Sequence, residues 1–266
     1  MPRDPHQLTV PEFVAMKAAG RKITVLTAYD YPTAHMVDST GIEGILVGDS
    51  LSMVVQGHAN TLPVTLEEMI YHAEMVGRAV RHALVIVDMP FPSFHLGTHR
   101  AIDSAGRILK GARCQAVKLE GGVEQAETIA ALVAAGIPVM AHVGLRPQSI
   151  HQLGGYRVQR DEKQLLADAR AAEQAGAFSI VLECIPTGIA GRISGELHIP
   201  TIGIGAGRDC DGQVLVIHDL LGLHDGHVPK HVRAYADLRS EACGAITRFR
   251  DDVRQGAFPG PEQTFE

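Results

Sequence analysis

Tryptophan is absent from the 266 residues, and aromatic residues make up only 5% of the chain. Proteins that bind single-stranded nucleic acid stack bases on aromatic side chains, so such a platform would be thin here. Excess positive charge is also missing: 24 Lys and Arg stand against 30 Asp and Glu, a formal net charge of −6. Nucleic-acid binders are usually basic, and an anionic membrane surface would be an equally poor partner. No apolar run approaches the ~20 residues of a membrane span. The opening MPRDPHQLTV lacks the apolar h-region of a secretory signal. Cysteine is scarce, at positions 114, 184, 210 and 243, and no two form a CxxC pair. A zinc ribbon or redox dithiol is therefore not expected. A chain this long needs no disulfide scaffold, so reduced thiols in a cytoplasmic protein are the expectation.

What the chain does have is repetition. Short β-branched and aliphatic runs alternate with longer amphipathic stretches. Ile23–Ala28, Gly44–Asp49, Ala83–Asp88, Gln115–Glu120, Ile137–His142 and Phe178–Glu183 read as strands, and PTIGIG and GQVLVIH extend the series. Ala83–Asp88 is apolar throughout until its last residue, as a strand buried on both faces requires. Helical spacing fills the intervals. Thr65 with Glu68 forms a capping-box signature ahead of Leu66, Ile70, Ala73, Val76 and Val80. Strict alternation predicts a parallel sheet, and about eight such units predict a (β/α)8 TIM barrel. An open doubly wound sheet is the alternative.

No linker or low-complexity tract divides the sequence, so residues 1–266 read as a single barrel domain. Two segments fall outside the repeat. Residues 1–20 include a predicted helix, Val10–Ala19, stopped by Gly20. Residues from about 229 to 254 carry Val232, Tyr235, Leu238, Ala242, Ile246, Phe249 and Val253 at helical spacing. Such peripheral helices cover a barrel end or join subunits.

Chemistry concentrates where strands end. Asp49, Asp88, Glu120, His142 and Glu183 each close an apolar run, and barrels of this type build their active sites at the carboxyl ends of their strands. One such acid is commonplace as a helix cap. Four acids around one rim crowd negative charge, which a divalent cation compensates; oxygen ligands point to Mg2+ rather than zinc. The capping and metal readings both stand at this level. Lys118 precedes Glu120 by two residues, so both share the inward face of one strand. Lys118 is either half of a buried ion pair or a cation for a substrate carboxylate. His142 is a core histidine, a substrate donor or a metal ligand, the first being the plainest. GIGAG at 203–207 reads as a tight turn near the site rather than a phosphate cradle.

Read in order, LTAYDYPTA, LVGDSLSMVVQGH, TLPVT, DMPF, VKLEGG, GLRPQS, GGYRVQ, LECIP, GIGAG and CDGQVLVIHD resemble the ketopantoate hydroxymethyltransferase family, from about Leu26 to Gly260. The resemblance implies a Mg2+-dependent (β/α)8 enzyme of pantothenate synthesis. Such an enzyme transfers a one-carbon unit from 5,10-methylenetetrahydrofolate to 3-methyl-2-oxobutanoate through a metal-stabilised enolate. By that resemblance Asp49, Asp88 and Glu120 bind the metal. Ser50 and Lys118 contact the oxo acid, with Asp49 and Asp88 beside it, and Glu183 is the catalytic base. A homodecamer is implied as well. The chain departs from the family pattern at Pro92, Ser93 and Phe94 after DMPF, at Ala141 before His142, and at Arg146 in GLRPQ. These departures bear on loop shape and on the fit of the folate. Two other readings compete: a Mg2+-dependent lyase or aldolase acting on 2-oxo acids without folate, and a noncatalytic barrel that only binds a metabolite.

Overall fold

The computed structural model describes residues 7–224, 226 and 228–265; positions 1–6 of the predicted N-terminal segment lie outside the described residues. The chain divides into two compact units, Met1–Val216 and Ile217–Glu266. The first unit is a closed eight-stranded parallel barrel in sequence order. Its strands are β1 (Ile23–Thr27), β2 (Gly44–Val47), β3 (Leu84–Asp88), β4 (Ala116–Glu120), β5 (Val139–Gly144), β6 (Ser179–Glu183), β7 (Thr201–Ile204) and β8 (Gly212–Leu215). Closure comes from β8 pairing β1, with Val25 opposite Val214. The open-sheet alternative is thereby set aside.

Among the described residues, nine helices accompany the barrel: α1 (Val10–Ala18), α2 (Tyr31–Asp38), α3 (Leu51–Val54), α4 (Leu66–Ala79), α5 (Thr98–Ala112), α6 (Ala126–Ala134), α7 (Ile150–Leu153), α8 (Glu162–Gln174) and α9 (Thr187–Glu196). Local sequence explains several boundaries. The capping box expected at Thr65 and Glu68 is formed at the start of α4, and Thr9 with Glu12 forms another ahead of α1. Gly20 follows α1 with φ +66°, as a helix-terminating glycine does. The single helix expected over 123–135 is split. Val123–Gln125 forms one 3-10 turn before α6 begins.

The barrel interior is layered by strand periodicity. Ile23, Val25, Leu46, Leu84, Ile86, Ala116, Met140, Val181, Ile202 and Val214 form one apolar cluster. Phe13 and Met16 of α1 pack into the same cluster, Phe13 meeting Phe178 edge-on at 5.9 Å between ring centroids. The N-terminal helix thus covers a barrel end. Each inward series continues with period two to a polar residue: Leu84 and Ile86 lead to Asp88, Ala116 to Lys118 and Glu120, Met140 to His142, Val181 to Glu183. The apolar layer therefore fixes the direction of the polar one.

The second unit contains α10 (Ile217–Leu221) and α11 (Leu238–Gln255). The helix expected from about 229 starts later, because Asp237 caps it by accepting the Ser240 N–H. Val232 and Tyr235 match its apolar spacing but precede it. Helix α11 has no buried residue and exposes Ile246, Phe249 and Val253. Among the described residues no helix is long and apolar enough to cross a membrane, and none of the four cysteines is in a disulfide.

Candidate active site

The carboxyl ends of β2 to β6 bring the predicted residues together. Asp88 and Lys118 lie opposite each other in register on β3 and β4, and the Lys118 Nζ stands 2.9 Å from Asp88 Oδ1. Glu120 pairs in register with His142 of β5. His142 Nδ1 is 3.1 Å from Lys118 Nζ, and its Nε2 is 3.1 Å from Glu183 Oε2. The last contact is bent off the line of a full hydrogen bond. An ammonium can only donate, so His142 Nδ1 accepts and Nε2 carries the proton toward Glu183. Burial and the Lys118 charge lower the His142 pKa, consistent with a neutral ring.

Asp49 departs from the expected placement by two residues. Strand β2 stops at Val47, and Asp49 rides on the turn into α3. Its N–H donates to Asp88 Oδ2 at 3.0 Å. Gly48 leaves room for the neighbouring hydroxyl: a Cβ there would lie 2.8 Å from Ser50 Oγ. Ser50 Oγ lies 2.8 Å from the hydroxyl of buried Tyr29. Gly144, at φ +97°, has the same role beside the base. A Cβ would meet the Glu183 carbonyl oxygen at 2.2 Å, the oxygen to which Leu145 N–H donates.

Three residues join the site without a role assigned to them by the sequence. Gln148 ties the acids together: its N–H donates to Glu120 Oε2 at 3.0 Å, and its Nε2 donates to Asp49 Oδ2 at 2.9 Å and to the Met89 carbonyl at 3.0 Å. The GLRPQS motif contains it, but nothing in its spacing gives its direction. Tyr29 continues the inward series Ile23, Val25, Thr27 of β1 and is legible by that rule. His142, open among three readings in the sequence, is joined by its two nitrogens to Lys118 and Glu183.

The electrostatics are one-sided. Asp49, Asp88 and Glu120 are buried, Glu183 is the most accessible of the acids at 16% side-chain exposure, and Lys118 is the buried cation among them. Burial first, then the Asp88 charge, pushes the Asp49 pKa up to about 7. Burial and Asp49 raise Glu120 well above the usual carboxylate range. Burial alone would lower Lys118, but the Asp88, Glu120 and Asp49 charges raise it, keeping the ammonium. Glu120 Oε1 and the side-chain oxygen of Gln148 are buried without a hydrogen-bond partner. This excess of carboxylate oxygen fits a hard divalent cation. Among the described residues, no three His, Cys, Asp or Glu side chains stand close enough to hold an ion directly. A hydrated ion reached through one or two carboxylates is the form that fits, and Mg2+ characteristically keeps several waters. GIGAG forms the turn after β7, where Gln213 Nε2 donates to the Gly207 carbonyl at 2.8 Å.

Comparison with known proteins bears on this arrangement. The sequence profile described as ketopantoate hydroxymethyltransferase matches residues 7–261. The 3-methyl-2-oxobutanoate hydroxymethyltransferase of Desulforapulum autotrophicum is 56% identical over 260 residues, covering 98% of this chain and 99% of the relative. That of Rhodopirellula baltica is 54% identical, covering 98% and 97%. A crystal structure of phosphonopyruvate hydrolase complexed with oxalate and Mg2+ superposes with a TM-score of 0.63 over 96% of this chain and 93% of that one, at 14% identity. That likeness concerns the fold alone. The profile match and the full-length identities place the chain among enzymes, and it belongs to the ketopantoate hydroxymethyltransferase family.

Proposed function

We propose that the chain converts 3-methyl-2-oxobutanoate, 5,10-methylenetetrahydrofolate and water into 2-dehydropantoate and tetrahydrofolate, a step of pantothenate synthesis. The observation that carries the reading is Lys118, a buried ammonium set among four acids at the barrel mouth. Such a site offers a cation for a small carboxylate and a base beside it. Of the three Lys118 donors, Asp88 and His142 engage two. The third serves the carboxylate of the oxo acid, with Ser50 Oγ, steadied by Tyr29, as a further contact. Of Asp49, Asp88 and Glu120, one or two would hold Mg2+ directly and the rest through its waters, with Gln148 fixing two of the three. When bound, the ion supplies Lewis acidity that makes the substrate's carbon-bound proton removable and favours the enolate.

Glu183 takes that proton from the carbon beside the ketone. Its position suits proton abstraction, because it ends β6, is the least buried acid of the set, and has the His142 Nε2–H against one oxygen. Lys118 in turn fixes the His142 ring, so the base is oriented by a chain of polar contacts. Water supplies the oxygen of the one-carbon unit as both of its C–N bonds to the folate break and tetrahydrofolate leaves; the enolate carbon adds to that carbon, and the resulting alkoxide takes up a proton to give the hydroxymethyl group. One catalytic barrel with peripheral helices, a homodecamer and a cytoplasmic location belong to the same proposal. The test is an assay of the purified protein with Mg2+, the oxo acid and 5,10-methylenetetrahydrofolate. Product must require all three; product formed from the oxo acid without folate, or no product at all, would overturn the reading.

A further inference from the structure

A cleft beside the acids differs chemically from the apolar barrel. It encloses about 400 Å3, and every side chain lining it is polar. Glu120 and Gln148 form part of its wall, so it opens on the residues assigned above to the cation. A groove of similar size between residues 62–67 and α5 has none of the site acids in its lining. Beyond Glu120 the cleft is built by His95, Gln152, Gln164 and Asp168, with Arg146 paired to Glu124. Several of these groups are already held in place. Asp168 Oδ1 accepts the Val123 N–H at 3.0 Å and the Gln164 amide at 2.9 Å. His95 packs its ring 4.0 Å from that of Phe94 and 5.3 Å from that of Phe91, which makes it a supported flat surface.

Lined by polar residues only, this cleft is a poorer match for the aliphatic oxo acid. It does suit a flat heterocycle with hydrogen-bonding groups around its edge. A carboxylate accepts from an amino group and a ring N–H side by side, while glutamine amides and a guanidinium serve a ring carbonyl. We infer that this cleft binds the reduced pterin head of the one-carbon donor, with His95 against its face and Gln152, Gln164 and Asp168 along its edge. The inference rests on the folate reading given above. Because Glu120 and Gln148 line the cleft and Gln148 also donates to Asp49, a pterin seated there lies beside the proposed cation site and brings its methylene-bearing edge toward it. Arg146, a departure from the family pattern, falls within this donor cleft and, by its pairing with Glu124, supplies a fixed donor to it.

The test uses the full-length enzyme with Mg2+ and the variants Gln164→Leu, Gln152→Leu and His95→Ala. Each glutamine change is expected to raise the KM for 5,10-methylenetetrahydrofolate about fivefold, the scale of one lost hydrogen bond, and the two together more than tenfold, while His95→Ala, which removes the stacking face, should raise it by about the same fivefold. The KM for the oxo acid and folate-independent deuterium exchange at its acidic carbon should stay at wild-type values, which also shows that the variants fold. A tetrahydropterin without the benzoylglutamate tail should compete with the donor in the wild type and lose potency in the variants. Competition by p-aminobenzoylglutamate should be unchanged. A donor KM within twofold of wild type in both glutamine variants, or variants that weaken p-aminobenzoylglutamate instead, would overturn the inference. A wild type that exchanges the proton but makes no folate-dependent product would instead sink the donor reading, and this inference with it.

Discussion

Replacing Glu183 by Gln isolates the proposed proton step. The change keeps side-chain length and volume, and its site tolerates it. At 16% exposure the carboxylate is not tightly enclosed, and the amide can turn its oxygen toward His142 Nε2, preserving the 3.1 Å contact. The Glu183 backbone is held independently, since Leu145 N–H donates to its carbonyl and Cys184 N–H to that of Ile204. Folding cost should therefore be about 1 kcal/mol or less, because the amide oxygen replaces the carboxylate as the acceptor facing His142. What is lost is basicity. General-base catalysis contributes about 10²–10⁴-fold, equivalent to roughly 3–5 kcal/mol of transition-state stabilisation. The expected result is a fall in kcat of that size, with Mg2+ affinity and urea midpoint close to wild type. Deuterium exchange into the oxo acid, followed by NMR without folate, reads the step directly. If folded E183Q exchanged that proton at the wild-type rate, the assignment of the base would be wrong and the later steps would need another explanation.

Other expectations follow from the same contacts. Lys118→Met leaves Asp88 buried without its cation, so it should raise the KM for the oxo acid and lower stability by about 3–5 kcal/mol in urea unfolding; unchanged KM in folded protein would remove Lys118 from substrate binding. Gln148→Leu strips partners from Asp49 Oδ2 and the Met89 carbonyl, and should cost about 1–3 kcal/mol for each stranded group while weakening Mg2+ binding. Mg2+ at a hundredfold excess over its Kd should stabilise the protein by about 2.7 kcal/mol, a shift of several degrees in Tm. That shift should vanish in Asp49→Asn, and its absence in the wild type at matched ionic strength would refute the cation site. Light scattering at micromolar protein should give a mass near ten chains; a monomer would contradict the proposed assembly.

How far the site can be read from sequence depends on which residues sit on regular backbone. Asp88, Lys118, Glu120 and Glu183 lie on strands whose period of two carries the inward direction from apolar residues to polar ones, so their convergence follows once eight strands close. Tyr29 obeys the same count from Ile23 and lies two residues past the end of β1. Asp49 and Gln148 do not obey it. Each sits on a turn, Asp49 between the end of β2 and α3 and Gln148 in the 3-10 turn Pro147–Ser149, and no periodicity transmits its direction. Gln148 nevertheless carries two of the hydrogen bonds that hold the acids, and a third to the Met89 carbonyl. The C-terminal helix shows the converse. Val232 and Tyr235 keep the helical spacing, yet the helix waits for Asp237 to satisfy its first free N–H groups. A repeat of 3.6 is thus permissive, and the cap decides where it is used. The chemistry divides along the same line: the strands place the base and the cation, while the turns that sequence leaves undirected bring in the groups that bind the acids to one another.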